Sequence, residues 1–213
     1  MIIWILWVSL KSGLMNNYIY IYGASGHGLV IADIAKSCGY EDIIFIDDGE
    51  NKYPTFEDIK RTNDIPIALG IGNNTIRAKL FEKVQKSSFE IVSLMHPSAI
   101  ISPSSTIGKG TVIMPNVVVN VNSKIGDGVI LNTACIVEHE NIIENFAHIS
   151  PNVALAGDVK IGMFTHIGIG SNVIQGLAIG NNCIIGAGSV VVSNIENNKL
   201  CYGNPCKVRK EID

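Results

Sequence analysis

"IGKGTVIMPNVVVNVNSKIGDGVILNTACIVEHENIIENFAHIS" runs from residue 107 to residue 150. Every sixth residue of it is aliphatic: Ile107, Ile113, Val119, Ile125, Leu131, Val137, Ile143 and Ile149. The register extends back to Ile101 and forward through Leu155, Ile161, Ile167, Val173, Ile179, Ile185 and Val191, sixteen consecutive hexads in all. Small or medium residues recur four positions later, as at Ser105, Thr111, Ser123, Cys135, Ala147, Thr165, Ser171 and Ser189. A helix repeats every 3.6 residues and a strand every two, so neither produces this pattern. A triangular parallel β-helix does. Each hexad forms one flat side and a corner, eighteen residues close a coil, and the aliphatics stack inward along a prism of about five coils.

Upstream the grammar differs. "YIYIYG" (residues 18–23) reads as a strand, "HGLVIADIAKSCG" (27–39) as a helix and "IIFIDD" (43–48) as a second strand. "IPIALGIGNN" (65–74) reads as a third strand, followed by the amphipathic "TIRAKLFEKVQKSS" (75–88) and by "FEIVSLM" (89–95). Short apolar strands alternating with helices predict a small Rossmann-like parallel α/β unit. The expected organisation is an N-terminal extension over 1–17, the α/β unit over 18–95 and the β-helix with a short tail over 96–213.

Where strand one feeds the first helix stands "GASGHG", residues 23–28. Glycines there permit close backbone approach, and a helix N-terminus favours an anion such as phosphate. The spacing is GxxGxG rather than the GxGxxG of dinucleotide sites, which weakens an NAD reading. Asp47 and Asp48 follow at the end of strand two, where a ribose partner often sits. A tight strand-to-helix turn is the alternative account of the same glycines.

The chain has 213 residues, 47% hydrophobic and 16% charged, so it is poor in charge and predicts further burial in an oligomer. A net charge of −3 gives no basic footprint for nucleic acid. Five cysteines without a CxxC pair fit a reducing cytoplasm. The opening "MIIWILWVSL" is apolar but shorter than the roughly 20 residues a span requires, and it lacks a basic n-region and a cleavage site. No stable membrane insertion is expected. With Met15 ahead of the first strand, residues 1–14 read as an upstream start or loose extension, with a weak membrane anchor as the alternative.

Within the prism the polar and titratable groups gather at one place: Glu138, His139, Glu140, Asn141, Glu144 and His148. His148 and His166 are eighteen residues apart and stack on neighbouring coils, whereas His139 lies nine before His148, half a coil away. A ligand meeting both therefore implies neighbouring prisms. A histidine beside a carboxylate is the usual general base, since the anion fixes its tautomer and raises its basicity. Glu138 and Glu140 both qualify as that partner.

Taken together, "YIYIYGASGHGLV", "IFIDD", "IGNNTIR", "ILNTACIVEHE" and "GNPCKV" resemble the left-handed β-helix hexapeptide acyltransferases of the sialic-acid and amino-sugar group, over residues 18 to about 209. Within that group the resemblance is to the UDP-4-amino-sugar N-acetyltransferases of the bacillosamine pathway. It implies transfer of acetyl from acetyl-CoA to the 4-amine of a UDP-linked 4-amino-4,6-dideoxy sugar, in a cytoplasmic homotrimer, without metal or covalent intermediate. It implies His139 as base, Glu140 as its carboxylate, and Asn132 placing the sugar or the base. By the same resemblance His148, His166 and the Gly157 N–H meet acetyl-CoA, the last as an oxyanion donor. Ser25, Gly26, His27, Asp47, Asp48 and Gly72 would meet the UDP-sugar. Cys206 replaces the alanine of the family's G-x-P-A-K ending, and Lys207, Arg209 and Lys210 follow either as candidates for the CoA phosphates or as solvated cations of the tail.

The same motifs serve a sialic-acid O-acetyltransferase with the same fold, donor and base. A non-catalytic hexapeptide scaffold is the reading of another class. A zinc lyase on the prism would need a close histidine pair, and the spacings of nine and eighteen among His139, His148 and His166 do not supply one.

Overall fold

A computed structural model describes residues 17–60, 64–87 and 89–212. The extension expected over residues 1–17 therefore lies, except for Asn17, outside the described residues. The first unit holds β1 (Tyr18–Tyr22), α1 (Gly26–Ser37), β2 (Asp42–Ile46), the short α2 (Phe56–Ile59), β3 (Ile67–Leu69) and α3 (Asn74–Gln85). Its three strands pair in parallel in the order β2-β1-β3. Parallel pairing of consecutive strands requires a crossover, and α1 supplies the first one. The interior positions of β1 are apolar or aromatic and buried from Ile19 to Tyr22.

Seventeen two-residue strands follow, each six residues after the last, from β4 (Leu94–Met95) to β20 (Val190–Val191). Every third strand pairs in parallel with an eighteen-residue offset, as Ile130 with His148 and Ile136 with Ala154. The result is three flat sheets: β4, β7, β10, β13, β16 and β19 on one side; β5 to β20 on the second; β6 to β18 on the third. The second residue of nearly every strand points inward, so Ile113, Leu131, Val137, Ile149, Leu155, Ile161 and Ile167 are fully buried. Two further strands, β21 (Lys199–Tyr202) and β22 (Lys207–Glu211), form an antiparallel hairpin that extends the first side beyond β19.

The prism begins one hexad before the repeat read from the sequence. Leu94 and Met95 pair with Val112 and Ile113, so residues expected to close the α/β unit are the first rung of the β-helix. The small residues of each hexad do more than fit. Thr111, Ser123 and Thr165 are fully buried, and their hydroxyls donate to the carbonyls of Gly126, Glu138 and Gly180 at 2.8, 2.9 and 2.6 Å. Asn141 does the same with Ala156 and also accepts from the Val159 N–H. Buried polar groups are thereby satisfied at these corners.

Many corner residues take a left-handed backbone. Asn116, Asn122, Asn152, Asp158 and Asn182 do so with φ between 53° and 60°, as their short polar side chains allow. Phe146 and Phe164 adopt the same conformation without that excuse. Their rings stack at 5.5 Å, and Phe81 of α3 meets Phe146 edge-on at 5.4 Å. Packing against the first unit offsets the local strain at that corner, and one apolar cluster runs from Ile19, Ile21 and Ile31 into the prism core.

Candidate active site

His139 occupies the corner between β11 (Ile136–Val137) and β12 (Ile142–Ile143). Its Nδ1 lies 3.1 Å from Glu140 Oε2. Glu138 is committed elsewhere, accepting from Asn120 Nδ2 at 2.8 Å one coil below. Of the two carboxylates the sequence offered, Glu140 is the partner. The imidazole extends over Gly157, the equivalent residue of the next coil; a β-carbon there would lie 2.5 Å from Nε2. Among the described residues no acceptor is hydrogen-bonded to the Gly157 N–H. With Nδ1 held by a carboxylate, Nε2 is the nitrogen free to take a proton.

The other histidines gather on a different side. His148 opens β13 (His148–Ile149) and His166 opens β16 (His166–Ile167), and their rings stack in parallel at 4.6 Å. His27, in the first turn of α1, lies 6.5 Å from His148, and its Nε2 is buried without a hydrogen bond. Gly72 packs beneath His27, with room for a β-carbon 3.8 Å from the ring. Ser150 Oγ sits 2.8 Å from His166 Nε2. Asn132 reaches His148 rather than His139: its Nδ2 is 3.1 Å from His148 Nε2.

Burial pushes His148 down to about 3, aided by the charges His166, Arg77 and His27 would present. His27 falls to about 4 for the same first reason, with Arg77 second, and His166 is lowered likewise. All three are therefore neutral near pH 7.

In the glycine turn, a β-carbon on Gly28 would lie 1.9 Å from the Gly23 carbonyl, so this glycine is required by helix-strand packing. A β-carbon on Gly26 would meet nothing within 4 Å, which leaves its approach open, and Ser25 beside it is exposed and makes no side-chain cap. Asp47 accepts from the Ala24 N–H at 2.9 Å and from the Gly49 N–H at 2.9 Å, bonds that hold it below the usual carboxylate range. Asp48 binds Lys83 Nζ at 2.6 Å, the Phe56 N–H at 2.9 Å and the Tyr22 hydroxyl. Both aspartates thus shape the rim of the turn by tethering its loops.

One chain brings His27, Gly72, Asn132, His148 and His166 together, and separately His139, Glu140 and Gly157. The corner of His139 joins the second and third sides of the prism, opposite the side that carries His148. Two shallow depressions of about 350 Å³ each involve other residues, Lys124, Ile142, Glu144 and Met163 in one and Phe56, Lys60, Lys83 and Lys86 in the other. In the tail, Arg209 lies 4.6 Å above the Tyr202 ring, while Lys207 and Lys210 are exposed. Among the described residues no cluster of three metal-ligating side chains occurs, and no helix is long and apolar enough to cross a membrane.

Sequence reasoning met Arg77 only within "IGNNTIR" and "TIRAKLFEKVQKSS" and gave it no role. It is 1% exposed and falls on the buried stripe of α3 with Ala78, Phe81 and Val84. A guanidinium on an apolar helical stripe is the signal that marks it.

Fold and site together define a hexapeptide-repeat β-helix fused behind a small α/β unit. A profile of the PglD N-terminal domain matches residues 18–84. UDP-N-acetylbacillosamine N-acetyltransferase of Bacillus subtilis is 32% identical over 109 residues, 44% of this chain and half of that enzyme's length. The acetyltransferase domain of PglB from Neisseria gonorrhoeae superposes with a TM-score of 0.85 at 35% identity, covering 91% of this chain and all of that one; it is also known in complex with acetyl coenzyme A. PerB from Caulobacter crescentus, in complex with CoA and GDP-perosamine, matches with a TM-score of 0.87 at 32% identity over 93% of this chain and all of its own. The chain belongs to the family of nucleotide-sugar N-acetyltransferases built on the hexapeptide β-helix.

Proposed function

We propose that this protein transfers an acetyl group from acetyl-CoA to the 4-amino group of a UDP-linked 4-amino-4,6-dideoxy sugar. The observation that carries the reading is the triad of His139, Glu140 and Gly157: a carboxylate-held imidazole whose free nitrogen lies beside an unpartnered backbone N–H. A base and an oxyanion donor at one place are what aminolysis of a thioester needs.

The amine nitrogen attacks the thioester carbonyl carbon, and charge develops on the carbonyl oxygen, which the Gly157 N–H receives. His139 Nε2 takes the proton the amine sheds, and Glu140 stabilises the imidazolium. The C–S bond breaks, the amide forms, and the CoA thiolate recovers the proton from His139. Ser25, Gly26 and the open N-terminus of α1 support binding of the acceptor's phosphates, with His27 and Gly72 beside the sugar.

The active form we propose is a cytoplasmic homotrimer. His139 lies opposite the histidine-bearing side of its own prism, so a second chain brings the two groups to one cleft. The exposed Ile100 and Ile136 on the second side supply an apolar face for it. The test is release of free CoA against a panel of UDP-4-amino sugars, GDP-4-amino sugars and sialic acids. Turnover only on sialic acid hydroxyls would replace the amine reading; binding of acetyl-CoA with no turnover on any sugar would make the protein a scaffold.

A further inference from the structure

We infer that Arg77, with Asn74, is a positioning residue: it clamps the α/β unit onto three successive coils of the prism and fixes the hydrogen-bonding state of His148. Resting on the acetyltransferase reading above, the inference extends it to how acceptor and donor platforms are kept aligned.

Its basis is a ladder. Arg77 Nε donates to the Gly128 carbonyl at 2.7 Å, Arg77 Nη2 to the Phe146 carbonyl at 2.9 Å, and Asn74 Nδ2 to the Phe164 carbonyl at 2.8 Å. Those three acceptors are spaced by eighteen residues, one per coil, at the same corner. All three residues have the left-handed backbone, with φ of 60° to 61°. Arg77 Nη2 also donates to Asn74 Oδ1 at 2.8 Å, which holds the two side chains as one unit. The fork's other arm, Nη1, donates to the Ile71 and Gly72 carbonyls at 3.1 and 3.0 Å, in the loop that packs under His27.

No carboxylate is among these partners. A guanidinium 1% exposed and bound only by neutral oxygens is costly to bury, and burial lowers Arg77 itself to about 9. A clamp needing only adhesion would be cheaper with apolar side chains. What the charge and fork add is control of the groups beside them.

His148 follows the clamped Phe146–Ala147 segment directly, and its state can be derived. The Thr133 N–H donates to Asn132 Oδ1 at 2.8 Å, so the Asn132 amide turns its Nδ2 toward His148. His148 Nε2 is therefore the acceptor, and its proton resides on Nδ1. The Gly72 carbonyl, which Arg77 holds, also engages this ring. The charged and titratable groups facing His148 are Arg77 from α3, His27 from α1 and His166 from the next coil, and each opposes its protonation. Arg77 thus links the His27 loop, the neutral His148 tautomer and the stack with His166.

The test uses the full chain, with ¹⁵N-histidine NMR beside steady-state kinetics. In the parent protein His148 should show the neutral Nδ1–H pattern and stay neutral down to about pH 4. Arg77→Gln removes charge and fork: His148 should titrate at higher pH, and kcat should fall about 10- to 100-fold, as a small misplacement of reactants does, with KM for acetyl-CoA within about twofold. Arg77→Lys keeps the charge without the fork, so kcat should fall while the titration stays low. Should Arg77→Gln fail to fold, Asn74→Ala decides, because it releases the Phe164 rung and leaves the guanidinium; a fall in kcat with unchanged acetyl-CoA KM is expected. Folded variants with parental tautomer, titration and kcat would overturn the inference, as would a loss of Tm alone. Absence of acetyl transfer by the parent protein would sink the function reading, and the NMR result would still judge the clamp.

Discussion

The His139 imidazole lies over Gly157 so closely that a β-carbon on Gly157 would sit 2.4 Å from His139 Cε1. Gly157 is not in a left-handed conformation, so its lack of a side chain serves the space above it rather than the backbone. Gly157→Ala should therefore fold normally, because the exposed ring can swing aside. It should lower kcat about 100-fold, since a base moved by an ångström loses alignment. A melting curve and a rate measured on the same sample check both halves.

His139→Ala should lower kcat by roughly 10²–10⁴-fold, the usual contribution of a general base, with acetyl-CoA affinity nearly intact. Glu140→Gln should cost less. In one chain the pair is exposed, and such a pair is worth about 1 kcal/mol or less, roughly fivefold in rate. A much larger loss for Glu140→Gln would mean a second chain covers the pair.

The prism was legible because a period of six fixes which residue points inward, and stacking by eighteen then predicts every neighbour along an edge. That logic placed His148 against His166; the same eighteen-residue offset sets His139 over Gly157, a neighbour relation that the sequence reading did not draw. It could not reach across elements. Asn132 binds His148 because strands β10 (Ile130–Leu131) and β13 are adjacent on one side, sixteen residues apart rather than eighteen. Asp47 and Asp48 lie at the end of β2 as read, but their oxygens are taken by Ala24, Lys83 and Phe56, contacts made only once the loops fold. Leu94–Met95 carries too little of the hexad to reveal itself without β7 (Val112–Ile113) beside it.

Acid should destabilise this protein before its carboxylates are protonated. His148 and His27 are depressed to about 3 and 4 from an ordinary 6.5, so the unfolded chain binds their protons first as pH falls. Stability is full above about pH 6.5 and declines from there toward pH 4, where His27 begins to charge in the folded state. Each kcal/mol lost lowers Tm by about 2–4 °C in a chain this size. Tm measured from pH 7.5 to 4.5 should drop by several degrees, and His148→Gln should flatten the slope.

Assembly can be tested at the second side of the prism. Ile100 is 68% exposed and Ile136 39%, with half-buried Val118 between them in the sheet. Ile136→Asp places a charge where a neighbouring prism would pack and should shift the mass measured by light scattering toward the monomer. Activity should fall in parallel, about tenfold or more if the interface is the site. An active monomer at assay concentration would count against a site shared between chains.

The division of labour between the two units is open to truncation, and the structure dictates where to cut. A fragment starting at His96 would lose Leu94 and Met95, leaving the edge of β7 unpaired and Ile113 stripped of its cover. A fragment starting at Val92 keeps that rung. Its cost is the Arg77 ladder and the apolar contacts that α1 and Phe81 make with the prism; the Gly128, Phe146 and Phe164 carbonyls can turn to water once α3 is gone, so each lost bond should matter by only about 1 kcal/mol. The hexads supply their own core, and solenoid stability builds from neighbouring repeats. The longer fragment should therefore melt cooperatively and the shorter one at a lower temperature. If the prism holds the donor, the Val92 fragment should bind acetyl-CoA in calorimetry; having lost Ser25, Gly26 and His27, it should not bind the UDP-sugar. Retained UDP-sugar affinity would return the glycine turn to a purely structural role.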